Sequence, residues 1–194
     1  MSSTGQGCIY LVRHGETAWS ITGQHTGRTD LALTPHGEEE ARALLPRLGD
    51  YTFDHVFSSP LLRAHRTCEL AGFGGVATLD PDLLEWDYGQ YEGRTLQDIH
   101  QERPEWELFR DGCPGGESVE QISERADRLV SHLLALKGKI LLFSSGHILR
   151  VLTARWVDAP VALGRHLVLD PACLCVLGYD HGGLDRVIRL WNVP

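Results

Sequence analysis

The stretch Cys8 to Trp19, CIYLVRHGETAW, runs from five apolar residues into a turn made of an arginine, a histidine and a glycine. A short apolar run ended by turn residues has the pattern of a buried strand. Four more runs share it: residues 55–57 (HVF), 140–143 (ILLF), 173–177 (CLCVL) and 187–191 (VIRLW). Between most of them lie helical patterns. The clearest covers 118–136, where Val119, Ile122, Ala126, Leu129, Val130 and Leu133 recur at spacings of three and four. Ser118 with Gln121 forms a capping box there, and Gly138 is the stop signal. Thr34 before Pro35 and Ser59 before Pro60 open two further helices. Strands alternating with helices predict an α/β fold, a three-layer α/β/α sandwich with a mostly parallel sheet. Such sheets bind ligands beyond the carboxyl ends of their strands. RHGE after Val12, SSPLLR after Phe57 and SSGH after Phe143 are therefore expected around one crevice.

The 194 residues, 42% of them hydrophobic, suffice for one core, so residues 1–194 are expected as a single domain. Residues 80–116, rich in Trp, Tyr, Gly and Pro, are expected as a flap over the crevice. The net charge of −8 argues against nucleic acid or an anionic membrane as partner. No apolar run approaches a membrane span, and MSSTGQG lacks the features of a secretory signal, so a cytoplasmic protein is expected. Five cysteines without a CxxC pair read as packing thiols, and ten histidines without HExxH spacing give no metal site. GFGG at 72–75 follows a helix, which excludes a dinucleotide fingerprint, and no phosphate-loop GxxxxGK occurs.

Three clusters carry chemistry. In the first, Arg13 offers a fork of donors suited to phosphate oxygens, and His14 can attack phosphorus through one ring nitrogen if the other is held. Gly15 would let the backbone approach a ligand; the plainer alternative is a turn in which Arg13 pairs with Glu16. In the second, Arg63 falls in the first turn of the helix after Ser59, where a helix N-terminus and an arginine would together bind an anion. In the third, LLEWDYGQYEG, apolar neighbours would raise the pKa of Glu85 and suit it to general acid work. Asp87 and Glu92 compete for that role. Trp86, Trp106, Tyr88 and Tyr91 could shape a lid or fill the core.

These motifs in combination resemble the histidine phosphatase superfamily, in the branch of cofactor-dependent phosphoglycerate mutases and related phosphatases. RHGETAWSITGQHTGRTDLALTPHG is similar to the family's opening block. The resemblance implies that His14 is the phosphorylated histidine, that Arg13 and Arg63 clamp the phosphoryl group, and that Glu85 is the proton donor. It further implies that Ser20, Thr26 and Gly27 line the substrate site, with Tyr88 beside them, and that neither cofactor nor metal is required. A small, sugar-like phosphorylated substrate is the expected partner, and the oligomeric state is left open between monomer and homodimer.

One position departs from the family. The second catalytic histidine is expected five residues before an arginine, and five before Arg150 stands Ser145. His147 comes two residues later, after Gly146. His147 could substitute for the missing imidazole if the chain is still extended at Gly146. Alternatively, Ser145 and backbone amides could supply neutral donors, or the site could bind phosphate without turnover; separately, His147 could be only a cap or packing residue. Only 60 residues separate Glu85 from Ser145, with Arg94, Arg103 and Arg110 the basic residues noted in the flap. The long basic insertion of the mutases is absent, so phosphomonoester hydrolysis is expected ahead of mutase-type phosphotransfer.

Overall fold

Each apolar run becomes a strand whose alternate residues face opposite layers. The computed structural model describes residues 7–194; residues 1–6, most of the stretch read for a secretory signal, lie outside the described residues. The strands are β1 (Ile9–Arg13), β2 (His55–Ser58), β3 (Thr78–Leu79), β4 (Ile140–Ser144), β5 (Leu174–Asp180) and β6 (Asp185–Val193), in the order β3-β2-β4-β1-β5-β6. The four strands from β3 to β1 run parallel, while β5 is antiparallel to β1 and β6 to β5. The sandwich is as expected, with an antiparallel margin. β3 was not expected, because two exposed residues leave no periodic signal.

The helices are α1 (Ala18–Thr22), α2 (Pro35–Leu48), α3 (Leu62–Leu70), α4 (Leu96–Glu102), α5 (Leu108–Asp111), α6 (Val119–Ala135) and α7 (Gly146–Trp156). Ile9, Leu11, Ile140 and Leu142 pack with Ile122 and Leu129 of α6 and Leu149 and Leu152 of α7. Tyr10, Val12, Leu141 and Phe143 face the other way, onto Leu44 and Leu48 of α2 and Cys68 of α3. This period of two is what a strand covered on both sides requires. No helix among the described residues is long and apolar enough to cross a membrane.

Two of the three helix starts follow the expected chemistry. The Ser118 hydroxyl accepts the Gln121 N–H at 3.2 Å and the Gln121 side chain accepts the Ser118 N–H at 2.9 Å, while Thr34 caps α2 with Pro35 in its first turn. The third starts later than Ser59: α3 begins at Leu62 with Leu61 as its uncapped flank. The serine Oγ lies 3.4 Å from the Leu61 N–H, too far out to seat the first turn.

Residues 80–116 are well packed. Trp86 and Phe109 meet edge to face at 5.6 Å, and Tyr91 and Trp106 at 5.0 Å. The indole N–H groups of Trp86 and Trp106 donate to the carbonyls of Glu117 and Gly112. These three aromatics are core residues, and of the four only Tyr88 reaches the crevice beside His14.

At the carboxyl ends of the parallel strands, register and two bonds fix three turns side by side. Arg13 stands opposite Ser144, and Ser58 opposite Phe143. The His14 N–H donates to the Ser144 carbonyl and the Ser59 N–H to that of Phe143, each at 2.9 Å.

Candidate active site

His14 is the first residue past β1 and is 4% exposed. Its Nδ1 lies 2.7 Å from the Gly15 carbonyl, which can only accept, so Nδ1 carries the proton and Nε2 keeps its lone pair. Burial, and then the charges of Arg63 and Arg13, hold its pKa well below the ordinary imidazole value. The ring is neutral at neutral pH, the form a nucleophile requires. Gly15 also has a packing role. A Cβ there would stand 2.3 Å from the Gly37 carbonyl oxygen, so its bare backbone seats the turn on α2. The Gly15 N–H donates to the Thr67 hydroxyl at 3.1 Å.

His14 opens onto a cavity of about 170 Å³ whose wall includes Arg13, Ser20, Thr26, Glu85, Tyr88, Gly146 and His147. Of the other residues expected at the site, Arg63, Gly27 and Ser145 do not line this cavity. Arg63 is fully buried and donates to the backbone carbonyls of Thr26 and Gly27 at 2.9 Å and of Thr29 at 3.0 Å. The expected partnership with its helix N-terminus is not formed, because the Leu62 N–H donates to Asp30 at 2.7 Å. Arg13 reaches the Leu169 carbonyl at 2.5 Å, while Glu16 accepts the Thr34 hydroxyl at 2.6 Å, so the Arg13–Glu16 turn does not occur. Three buried donors are left without a protein partner at this end of the sheet: Arg13 Nε, Arg63 Nε and Ser145 Oγ. Such groups are costly unless a ligand or solvent satisfies them.

Glu85 is the one of the three competing carboxylates that lines the cavity. Asp87 accepts from Gly89 N–H, and Glu92 from the N–H groups of Gly27 and Thr29. The surroundings of Glu85 differ from the apolar pocket expected. Its carboxylate accepts the N–H groups of Trp86 at 2.8 Å, His147 at 2.9 Å and Ile148 at 2.8 Å, the last two in the first turn of α7.

The departure at Ser145 has a definite shape. Ser145 is the extended residue before α7, its hydroxyl makes no cap, and Gly146 is already helical. The extended Gly146 that would carry His147 into the missing position is therefore not found. His147 instead projects from the first turn of α7 and lines the same cavity. Its Nδ1 lies 2.5 Å from the Tyr88 hydroxyl, and its ring is stacked 6.2 Å from that of His25. Burial, then the charges of Arg150, His25 and Arg13, hold its pKa well below the ordinary value.

Sequence reasoning passed over His25, Gln24, Trp19 and Arg150, all on this cavity wall. His25 adjoins Thr26 in the opening block, and Arg150 served only to mark register; neither has a local pattern that announces a pocket. The five cysteines are unpaired, and burial pushes those of Cys68, Cys113 and Cys175 up to about 12, consistent with packing. Among the described residues, no three His, Cys, Asp or Glu side chains are grouped to hold a metal ion.

Comparison with known proteins places this geometry in a family. Residues 9–194 match the model of the histidine phosphatase superfamily (branch 1). An acid phosphatase of Mycobacterium tuberculosis is 40% identical over 178 residues, covering 90% of this chain and 87% of that protein. A sedoheptulose 1,7-bisphosphatase of Saccharomyces cerevisiae is 36% identical, covering 80% of this chain and 69% of its own length. A solved structure of an open reading frame product from Mycobacterium tuberculosis superposes with a TM-score of 0.88 at 37% identity, covering 96% of this chain and 97% of that one. With a neutral buried histidine past the first strand, unpaired arginine donors beside it and a match over nearly its whole length, the chain belongs to the histidine phosphatase superfamily, branch 1.

Proposed function

We propose that this enzyme is a metal-independent phosphomonoester hydrolase that works through a phosphohistidine at His14, on a small, sugar-like phosphate. One observation carries the proposal: a neutral imidazole with Nδ1 fixed by the Gly15 carbonyl faces a cavity whose wall carries the unpaired Nε of Arg13, with the charge of Arg63 also acting on the ring. Nε2 attacks phosphorus and the P–O ester bond breaks, while the leaving oxygen takes a proton from the Glu85 carboxyl. Arg13 and Arg63 neutralise the charge gathered on the phosphoryl oxygens, the task of positioned cations in phosphoryl transfer. Water then attacks the phosphohistidine, gives its proton back to Glu85, and releases orthophosphate with His14 restored.

Hydrolysis is favoured over mutase-type transfer because the basic residues of the 80–116 segment are engaged elsewhere. Arg94 pairs with Glu102, Arg110 with Asp111, and Arg103 donates to the Tyr91 hydroxyl. None of the three lines the cavity beside His14. Of the 80–116 segment, Glu85 and Tyr88 line the cavity, and His147 together with Ser145 supplies the donors that the second histidine supplies elsewhere. The names of the acid phosphatase and sugar-bisphosphatase relatives support a phosphatase and a sugar-like substrate.

Rapid acid quench after mixing with a ³²P-labelled sugar phosphate tests this. An acid-labile phosphoenzyme that is absent in His14→Ala, with release of free phosphate, is expected. Binding without any phosphoenzyme would overturn it in favour of a non-catalytic binder, and isomerised product would favour a mutase.

A further inference from the structure

Glu85 sits in a segment without regular structure beyond the short turn of Pro81–Leu83, yet a proton donor must be held within about 3 Å of the oxygen it serves. Its carboxylate is held by the N–H groups of Trp86, His147 and Ile148, and the backbone that carries it is held by groups that do not line the cavity. Arg125, on α6 and 6% exposed, donates through Nη1 to the carbonyls of Asp82 at 2.8 Å and Leu84 at 2.5 Å, and through Nη2 to that of Glu85 at 3.3 Å. Its Nε and Nη2 meet the Glu117 carboxylate at 2.8 and 2.7 Å. Glu117 grips the same segment from its other end. Its carboxylate accepts the Asp87 N–H and its N–H donates to the Asp87 carbonyl, both at 2.9 Å, while its carbonyl accepts the Trp86 indole at 3.0 Å.

Five of the six residues from Asp82 to Asp87 are thus tied to one ion pair between buried Arg125 and partly buried Glu117, and neither partner lines the cavity. Because Arg125 is buried and shares its donors between the Glu117 carboxylate and three carbonyls, the geometry is fixed in a way that an exposed ion pair is not. A lysine could not reproduce it, having three donors on one point where this site uses the planar fork of arginine.

We propose that Arg125, held by Glu117, is a positioning residue that fixes the carboxyl group of Glu85 against the leaving oxygen. The inference rests on the reading of Glu85 as proton donor. A misplacement of about 1 Å at a reacting group can cost on the order of 100-fold in rate. Arg125 should therefore matter most where the leaving oxygen needs a proton, and least where it does not.

The test compares single-turnover rates of His14 phosphorylation by an alkyl phosphate, whose leaving oxygen requires a proton, and by p-nitrophenyl phosphate, whose leaving oxygen does not. Arg125→Gln, Arg125→Lys, Glu117→Gln and Glu85→Gln are measured side by side, each with its circular dichroism spectrum. Arg125→Lys and Glu117→Gln cover the case in which Arg125→Gln fails to fold. The expected result is a loss of about 100-fold with the alkyl substrate and a much smaller loss with the aryl one, in Glu85→Gln and in the folded Arg125 and Glu117 variants alike. If the Arg125 and Glu117 variants lose both substrates equally, or neither, while Glu85→Gln stays selective, the positioning role is wrong and the role of Glu85 stands. If Glu85→Gln is itself unselective, the proton-donor reading fails and takes the proposal with it.

Discussion

Tyr88 and His147 meet through one contact, hydroxyl to imidazole Nδ1 at 2.5 Å, on the wall of the cavity that holds His14. Burial raises the pKa of Tyr88 well above its ordinary value and lowers that of His147, so both are neutral near pH 7. With the tyrosine donating, Nε2–H becomes the ring's remaining donor. Tyr88→Phe should then lower kcat/KM about tenfold, the worth of one hydrogen bond, and His147→Ala by at least as much. If the hydroxyl acts through the imidazole, Tyr88→Phe will have little further effect in a His147→Ala background, which a double-mutant cycle measures. Full activity in His147→Ala would remove His147 from the mechanism.

Ser145→Ala separates a ligand-binding hydroxyl from a structural one. Its Oγ is buried with no protein partner, so the protein loses no internal hydrogen bond when it is removed. Urea unfolding should shift by less than about 1 kcal/mol, while phosphate release falls roughly tenfold. A large stability loss with unchanged activity would contradict this assignment.

Gly15→Ala should damage the fold before the chemistry. The added Cβ would lie 2.3 Å from the Gly37 carbonyl oxygen, a backbone atom that cannot swing aside. A destabilisation of about 1–3 kcal/mol is expected, read as a lower urea midpoint. Gly37→Ala, whose Cβ would stand 2.2 Å from the Glu16 carbonyl oxygen, should behave alike.

Stability should fall as the solution is acidified below about pH 6.5, the ordinary histidine value. His14 and His147 have folded-state pKa values well below it, so in this range the unfolded chain binds protons that the native one refuses. Stability then rises with pH through the window, by up to about tenfold in the folding constant per pH unit for each histidine. Below the folded-state pKa values the native protein takes up the protons too, and the dependence from these residues levels off. Thermal melts from pH 4 to 8 should show a shallower slope in His147→Gln; an unchanged slope would contradict the depressed value.

The strands of the parallel core were legible because burial on both faces imposes continuous apolar runs such as ILLF, and the Ser118 and Thr34 caps because their chemistry is local. The start of α3 was not, since a Ser-Pro pair is only a local cue and the chain continues extended through Leu61. Glu85 was placed but its surroundings were misjudged. Its neighbours Leu83 and Trp86 pack into the core, and two of the three N–H groups it meets belong to α7, more than sixty residues away. Arg125 falls within the helix expected over 118–136, but nothing in the spacing of PGGES to Arg125 says that three carbonyls of a distant loop converge on it.

The three carbonyls held by Arg63 bear on how such a site can diversify. Arg63 anchors Thr26, Gly27 and Thr29 through main-chain oxygen atoms, and every amino acid has one. Side chains along this loop can be exchanged without releasing the anchor, provided the backbone path and loop length stay the same. Gly27 is the exception, because a Cβ there would lie 2.6 Å from both the Trp86 carbonyl and a Glu92 oxygen. Substitutions at position 26, which lines the cavity, are therefore a route to altered ligand preference that leaves Arg63 in place, whereas insertions in the loop are not.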